Sequence, residues 1–182
     1  MQEPLSRTFT VYLTGLVGAA TIALLATTLG IQVDSRIAIQ LDHDATTSFG
    51  EILTGILFWT AVTFVASAAP VRLSGGVHVA VSTAPIMAAA VLGGPTAAAW
   101  VALLGTTDLR ELRGKVVWYG TLANHAALTL PAICGGLVIY LIRVPGELPF
   151  AELLATLLGT MAYFLLNLGF VSFIVAFRSG RS

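Results

Sequence analysis

Residues 77–110 read VHVAVSTAPIMAAAVLGGPTAAAWVALLGTTDLR, and the way this stretch divides sets the architecture of the whole chain. Two apolar spans, Val77–Gly93 and Thr96–Leu109, meet at Gly93-Gly94-Pro95, a turn signal that neither continues through. Both are short against the ~20 apolar residues that a bilayer-crossing helix needs. Pro85 removes a helical N–H and frees the carbonyl of Val81. Val77 to Thr83 alternate with a period of two, which suits an extended entry segment better than a helix, and Gly75-Gly76 punctuates its start. The segment therefore reads as an irregular hairpin over residues 70–95, packed inside a bundle where protein satisfies the freed backbone groups. The plainer reading is two ordinary helices with tolerated prolines.

On either side lie the spans Val11–Val33, Glu51–Ala69, Val117–Ile142 and Ala151–Phe177, the third of these interrupted by Pro131, which frees the carbonyl of Ala127. Cutting the chain at these six spans sorts its basic residues. Arg7, Arg72, Arg110, Arg113, Lys115, Arg178 and Arg181 fall in alternate loops, whereas the other loops hold only Arg36 and Arg143. By the positive-inside rule the first set is cytoplasmic, with both termini. Asp34, Asp42, Asp44, Glu51, Glu147 and Glu152 then lie outside. The expected fold is an all-α integral membrane protein, a six-transmembrane-helix bundle with an irregular or re-entrant third element, and one transmembrane domain covers residues 1–182. Its expected location is the cell membrane. The first span is too long for a signal peptide and lacks a clear cleavage site, so it stays as an anchor.

Composition agrees: 57% of residues are hydrophobic, 10% are charged and the mean hydropathy is +0.90, against a quarter charged in an ordinary soluble domain. The sequence holds no phosphate-cradling Gly-Lys-Ser/Thr loop, no His-Glu-x-x-His and no Cys-x-x-Cys. We expect no enzymatic activity, no cofactor and no metal. Asp42-His43-Asp44 reads as a solvated loop, since ligands adjacent in sequence rarely converge on one ion. Nine basic residues split among short loops offer no nucleic-acid footprint. Cys134, alone within a span, reads as packing.

Polar residues at membrane depth are costly and mark functional candidates. Under this topology His78, Asp108, Asn124 and His125 lie in the cytoplasmic third, and Asn167 nearer mid-membrane. Asp108, Asn124 and His125 are expected to form one buried polar cluster. It serves either as interhelical glue or as a relay, because imidazole is the side chain that ordinarily changes charge near neutrality. Gly15, Ala19 and Ala23 recur every four residues, a spacing that permits close helix approach within the bundle or to a docking partner.

Residues 51–142 resemble the N-terminal membrane module found ahead of HD-GYP phosphodiesterase and diguanylate cyclase domains in bacterial signalling proteins. The matching pieces are Pro70-Val71-Arg72-Leu73, Gly75-Gly76, Val81-Ser82, Gly94-Pro95, Asp108-Leu109-Arg110-Glu111-Leu112-Arg113-Gly114, Trp118-Tyr119 and Asn124. The resemblance implies a sensory or anchoring input that passes a membrane or small-molecule signal to a cytoplasmic cyclic-di-GMP output domain. The expected partners are the lipid bilayer, that C-terminal output domain or a second copy of the chain, and a small-molecule ligand. The pattern is also similar to the substrate-binding S component of energy-coupling-factor vitamin transporters, whose first helix carries small residues at the spacing of Gly15, Ala19 and Ala23. That likeness implies a transporter subunit instead.

Overall fold

Backbone N–H and C=O groups find no water in a bilayer, so long apolar stretches become helices that satisfy themselves. The computed structural model describes residues 7–40, 46–68, 71–72, 78–79, 81–107, 111, 113–114, 116–143 and 149–178. Its helices are α1 (Arg7–Gly30), α2 (Phe49–Ala68), α3 (Thr83–Gly105), α4 (Trp118–Ile142) and α5 (Pro149–Arg178). Each is long and apolar enough to cross a membrane. The protein is a helical, multi-pass membrane protein with five long helices among the described residues rather than the six expected, because the two short spans form one helical element.

That element is broken within. Gly94 has φ 79° and ψ −172°, outside the helical region and accessible in practice only to glycine, and the following Pro95 has no N–H to continue a ladder. The break reverses the chain. A Cβ built at Gly135 on α4 would lie 3.4 Å from the Met87 side chain, and one at neighbouring Gly136 would lie 2.7 Å from Pro95. In a straight helix Met87 and Pro95 would stand about 12 Å apart along the axis. Residues before Gly94 therefore rise along α4 and those after it descend again, each half about 16 Å long and neither reaching across a ~30 Å hydrocarbon core alone.

Alanine makes this doubling back feasible. Ala89, Ala90, Ala97, Ala98 and Ala102 are almost wholly buried, and with Ile86, Val101 and Tyr163 they form the centre of the core. The helices α4 and α5 cross just as closely, since a Cβ at Gly135 would meet the Gly159 carbonyl oxygen at 2.7 Å and one at Gly159 the Gly135 oxygen at 2.6 Å. Val71–Arg72 and His78–Val79, ahead of α3, pair antiparallel as two-residue strands with Arg72 opposite His78. The helix α2 opens with a reciprocal cap: Ser48 N and Oγ donate to Glu51 Oε2 at 2.8 and 3.2 Å, and Glu51 N donates to Ser48 Oγ at 3.3 Å. This explains how Glu51 can be buried in an apolar helix.

The bundle has two distinct ends. At one, Phe9 and Leu13 of α1 pack with Ala123 of α4 and Ile174 of α5, and the Tyr12 hydroxyl donates to the Phe170 carbonyl at 3.3 Å. The beginning of α1 and the last turns of α5 thus share this end. At the other lie the α1–α2 loop, the Gly94 turn, the end of α4 and the start of α5.

Candidate functional site

The end opposite the chain's beginning carries a four-residue ionic cluster built from three segments. After α1 the chain makes a single 3-10 turn, Ser35–Ile37, capped by Asp34, whose Oδ1 accepts from Arg36 N at 3.0 Å. Ile37, 2% exposed, pins this turn against the core. The Asp34 N–H donates to the Gly93 carbonyl at 3.2 Å, tying the loop to the turn of α3. Arg36 then reaches three groups: Nε donates to Asp34 Oδ2 at 3.0 Å, Nη1 to Glu152 Oε1 at 3.0 Å and Nη2 to the Val91 carbonyl at 2.8 Å. Arg143, just after α4, contributes Nη1 to Asp34 Oδ2 at 3.4 Å and Nε to Glu152 Oε1 at 3.3 Å. The four side chains are 23–44% exposed, so each pair stabilises by only about 0.2–1 kcal/mol. Their weight lies in geometry, because the cluster fastens the start of α5 to α4, to the α1–α2 loop and to the tip of α3.

At the opposite end His125 joins α4 to α3. Its Nδ1 lies 2.7 Å from the Leu103 carbonyl, one of the last carbonyls of α3 and without a helical partner there. A carbonyl only accepts, so Nδ1 carries the hydrogen. Its Nε2 lies 3.1 Å from Glu111 Oε2, and the two atoms therefore share one proton between ring and carboxyl. The arrangement caps α3 and holds a proton beside the loop that precedes α4. His125 also borders a crevice of about 150 Å³ with Thr21, Leu24, Leu122 and Thr129. The Thr129 hydroxyl, buried there, has no hydrogen-bond partner among the described residues.

The candidate residues read from the sequence are distributed unevenly over these sites. The partner of His125 is Glu111, whereas Asn124 is exposed on the next position of α4, and Asp108 lies outside the described residues. Among the described residues His125 meets Glu111 and the Leu103 carbonyl, and Asn124 of the expected cluster does not join them. His78 has its backbone in the short strand pair. Asn167 is half-buried, with its side-chain oxygen unpartnered among the described residues. Gly15 and Ala19 face outward and Ala23 is half-buried, so the stripe is not a packing seam of the core. Asp42-His43-Asp44 lie outside the described residues. The ionic cluster itself escaped the sequence reading. Its members were visible only as scattered charges, and the available signal was that Asp34, Arg36, Arg143 and Glu152 all fall within a few residues of a span boundary.

A family model, MASE9, matches residues 46–181, three quarters of the chain, from the cap of α2 to the end of α5. The chain belongs to the MASE9 family. MASE domains are membrane-associated sensor modules, and the five apolar helices suit that class. The MASE9 match contains Arg143, Glu152, His125 and Glu111, and begins after Asp34 and Arg36. No curated protein and no solved structure matches the chain.

Proposed function

We propose that this MASE9 chain is a non-catalytic input module that crosses the membrane six times, keeps both termini in the cytoplasm, and couples an outer signal to a cytoplasmic cyclic-di-GMP output domain. In this reading the sequence spans Val77–Gly93 and Thr96–Leu109, of which the two halves of α3 are the greater part, supply the third and fourth passes. The observation that carries the reading is the ionic cluster at Glu152. It grips the first turns of α5, and the far end of the same helix is the covalent route to anything attached C-terminally. A signal can bias an output only by favouring one of two states, and a cluster of weak, half-exposed pairs between helices is readily rearranged. The charge asymmetry of the loops supports the orientation, as does the packing of Phe9 near Ile174.

The test fuses the chain ahead of a diguanylate cyclase domain and measures cyclic-di-GMP in cells. Glu152→Gln should change output at least severalfold, and Leu157→Ala, on the exposed face of α5, should not. Equal output from wild type and Glu152→Gln rejects the reading.

One observation favours a second reading. No atom lies within 4 Å of a Cβ built at Gly15, and Ala19 is exposed one turn later, so α1 presents a smooth outer stripe to another helix. In a transporter S component that helix would be a coupling subunit's. Ala19→Leu would then abolish uptake while leaving ligand binding intact. In an input module the stripe would meet a second copy of the chain, and the same change would shift the monomer–dimer balance instead.

A further inference from the structure

The ionic cluster borders a cavity of about 300 Å³ between the α1–α2 loop, the Gly94 turn and the end of α4. This is the lower bound of the ~300–1,000 Å³ typical of small-molecule pockets, so it suits a ligand of few heavy atoms. Gln32, Asp34, Arg36 and Arg143 make one wall polar, and Tyr140 and the open side of Gly94 form part of the other.

The remaining hydrogen-bonding capacity of the cluster decides the ligand's chemistry. Every side-chain nitrogen of Arg36 has a partner already. Arg143 is engaged through Nε and Nη1, which leaves Nη2 without a partner among the described residues. Asp34 Oδ2 receives both guanidinium groups, whereas Oδ1 accepts, among the described residues, only the Arg36 N–H and keeps a lone pair. The set is neutral, two arginines against two carboxylates. A simple anion entering beside Arg143 meets both carboxylates, and a simple cation entering beside Asp34 meets both guanidinium groups, so like-charge repulsion opposes each. A molecule carrying an ammonium and a carboxylate satisfies both and leaves the net charge unchanged.

We infer that this cavity binds a small zwitterion of the amino-acid class, its carboxylate on Arg143, its ammonium on Asp34 and its side chain against Tyr140. The assignment deepens the input-module reading and rests on it for the consequence of binding: a ligand carboxylate on Arg143 competes with Glu152, and so alters the tie between α4 and α5.

Binding is measured on the purified full chain in lipid nanodiscs, as the shift in thermal unfolding midpoint with each standard α-amino acid at millimolar concentration, and with acetate and ethylamine in parallel. At least one amino acid should raise the midpoint by several degrees, since a ligand that binds only the folded state stabilises it by mass action. Acetate and ethylamine should leave it unchanged. Arg143→Gln should weaken binding about tenfold or more, as expected for losing a charge-assisted hydrogen bond, with Arg143→Lys recovering part of it. Tyr140→Ala, at an exposed position, gives the same readout severalfold weaker and serves if Arg143→Gln does not fold. The assignment is overturned if no amino acid shifts the wild-type midpoint, if acetate shifts it equally, or if the folded variants bind as wild type does. Binding without any change of output in the cyclase fusion would instead overturn the input-module reading and leave this one standing.

Discussion

A histidine held between a terminal carbonyl and a carboxylate cannot be replaced by an apolar side chain without leaving the carbonyl unmatched and removing a partner from the carboxylate. His125→Leu orphans the Leu103 carbonyl and takes the ring nitrogen away from the Glu111 carboxyl. It should lower stability by about 1–3 kcal/mol, read as a fall in the unfolding midpoint in nanodiscs. Glu111→Gln should cost less, since the amide still pairs with Nε2 and the cap on Leu103 survives. His125 was legible in the sequence because an imidazole at membrane depth demands a partner. Its partner was not, because Glu111 stands in a run of mixed charges from Asp108 to Arg113 where spacing does not say which residue turns inward. Asn124 shows the opposite limit: adjacent positions on a helix point about 100° apart, so with His125 inside, Asn124 faces out. The ionic quartet was hidden for a simpler reason. Charges on different loops meet only through tertiary structure, and Asp34 and Glu152 are 118 positions apart.

Among whole elements, the same small residue means different things according to what lies beside it. The four-residue repeat of Gly15, Ala19 and Ala23 suggested close packing, yet the α4–α5 approach is made by Gly135 and by Gly159, the last of a second such repeat with Ala151 and Ala155. Gly135→Ala drives a methyl against the Gly159 backbone, which no rotamer can relieve, and should cost about 1–3 kcal/mol. Gly15→Ala enters open space and should be neutral or stabilise by up to about 1 kcal/mol through helix propensity. Gly94→Ala belongs with the costly group, at about 1–3 kcal/mol, because φ 79° with ψ −172° excludes a Cβ whatever room surrounds it. Unfolding midpoints of the three variants should rank Gly15→Ala well above the other two. The break at Gly93-Gly94-Pro95 was legible, as was the extent of α4, expected at 117–142 and found at Trp118–Ile142. Hydropathy could not reveal that both sides of the break pack on α4 as one reversing element, since composition carries no direction. Nor did it place the start of α2, which lies at Phe49 because Ser48 and Glu51 cap each other.

For the molecule as a whole, the parity of membrane crossings governs what it can transmit. Five uninterrupted crossings would leave the two chain ends on opposite sides, whereas Phe9 near the start of α1 and Ile174 near the close of α5 occupy one apolar cluster. The reversal at Gly94 resolves this, because an element that goes in and comes back restores an even count. The proposed orientation rests on charge: by sequence, the loops richest in arginine and lysine belong to the end shared by Phe9 and Ile174, and such loops resist translocation. In the proposed orientation the ionic cluster faces outward, where an extracellular solute meets it. In a background with Cys134 replaced by alanine, Ser48→Cys should react with a membrane-impermeant maleimide in intact cells, and Ser179→Cys should react only after permeabilisation. Ser48 tests the outer side where α2 is capped, and Ser179 tests the side from which any C-terminal domain would hang. If Ser179→Cys labels in intact cells, the last helix ends outside. No cytoplasmic output could then be joined to it, and the route from Glu152 through α5 would lead nowhere.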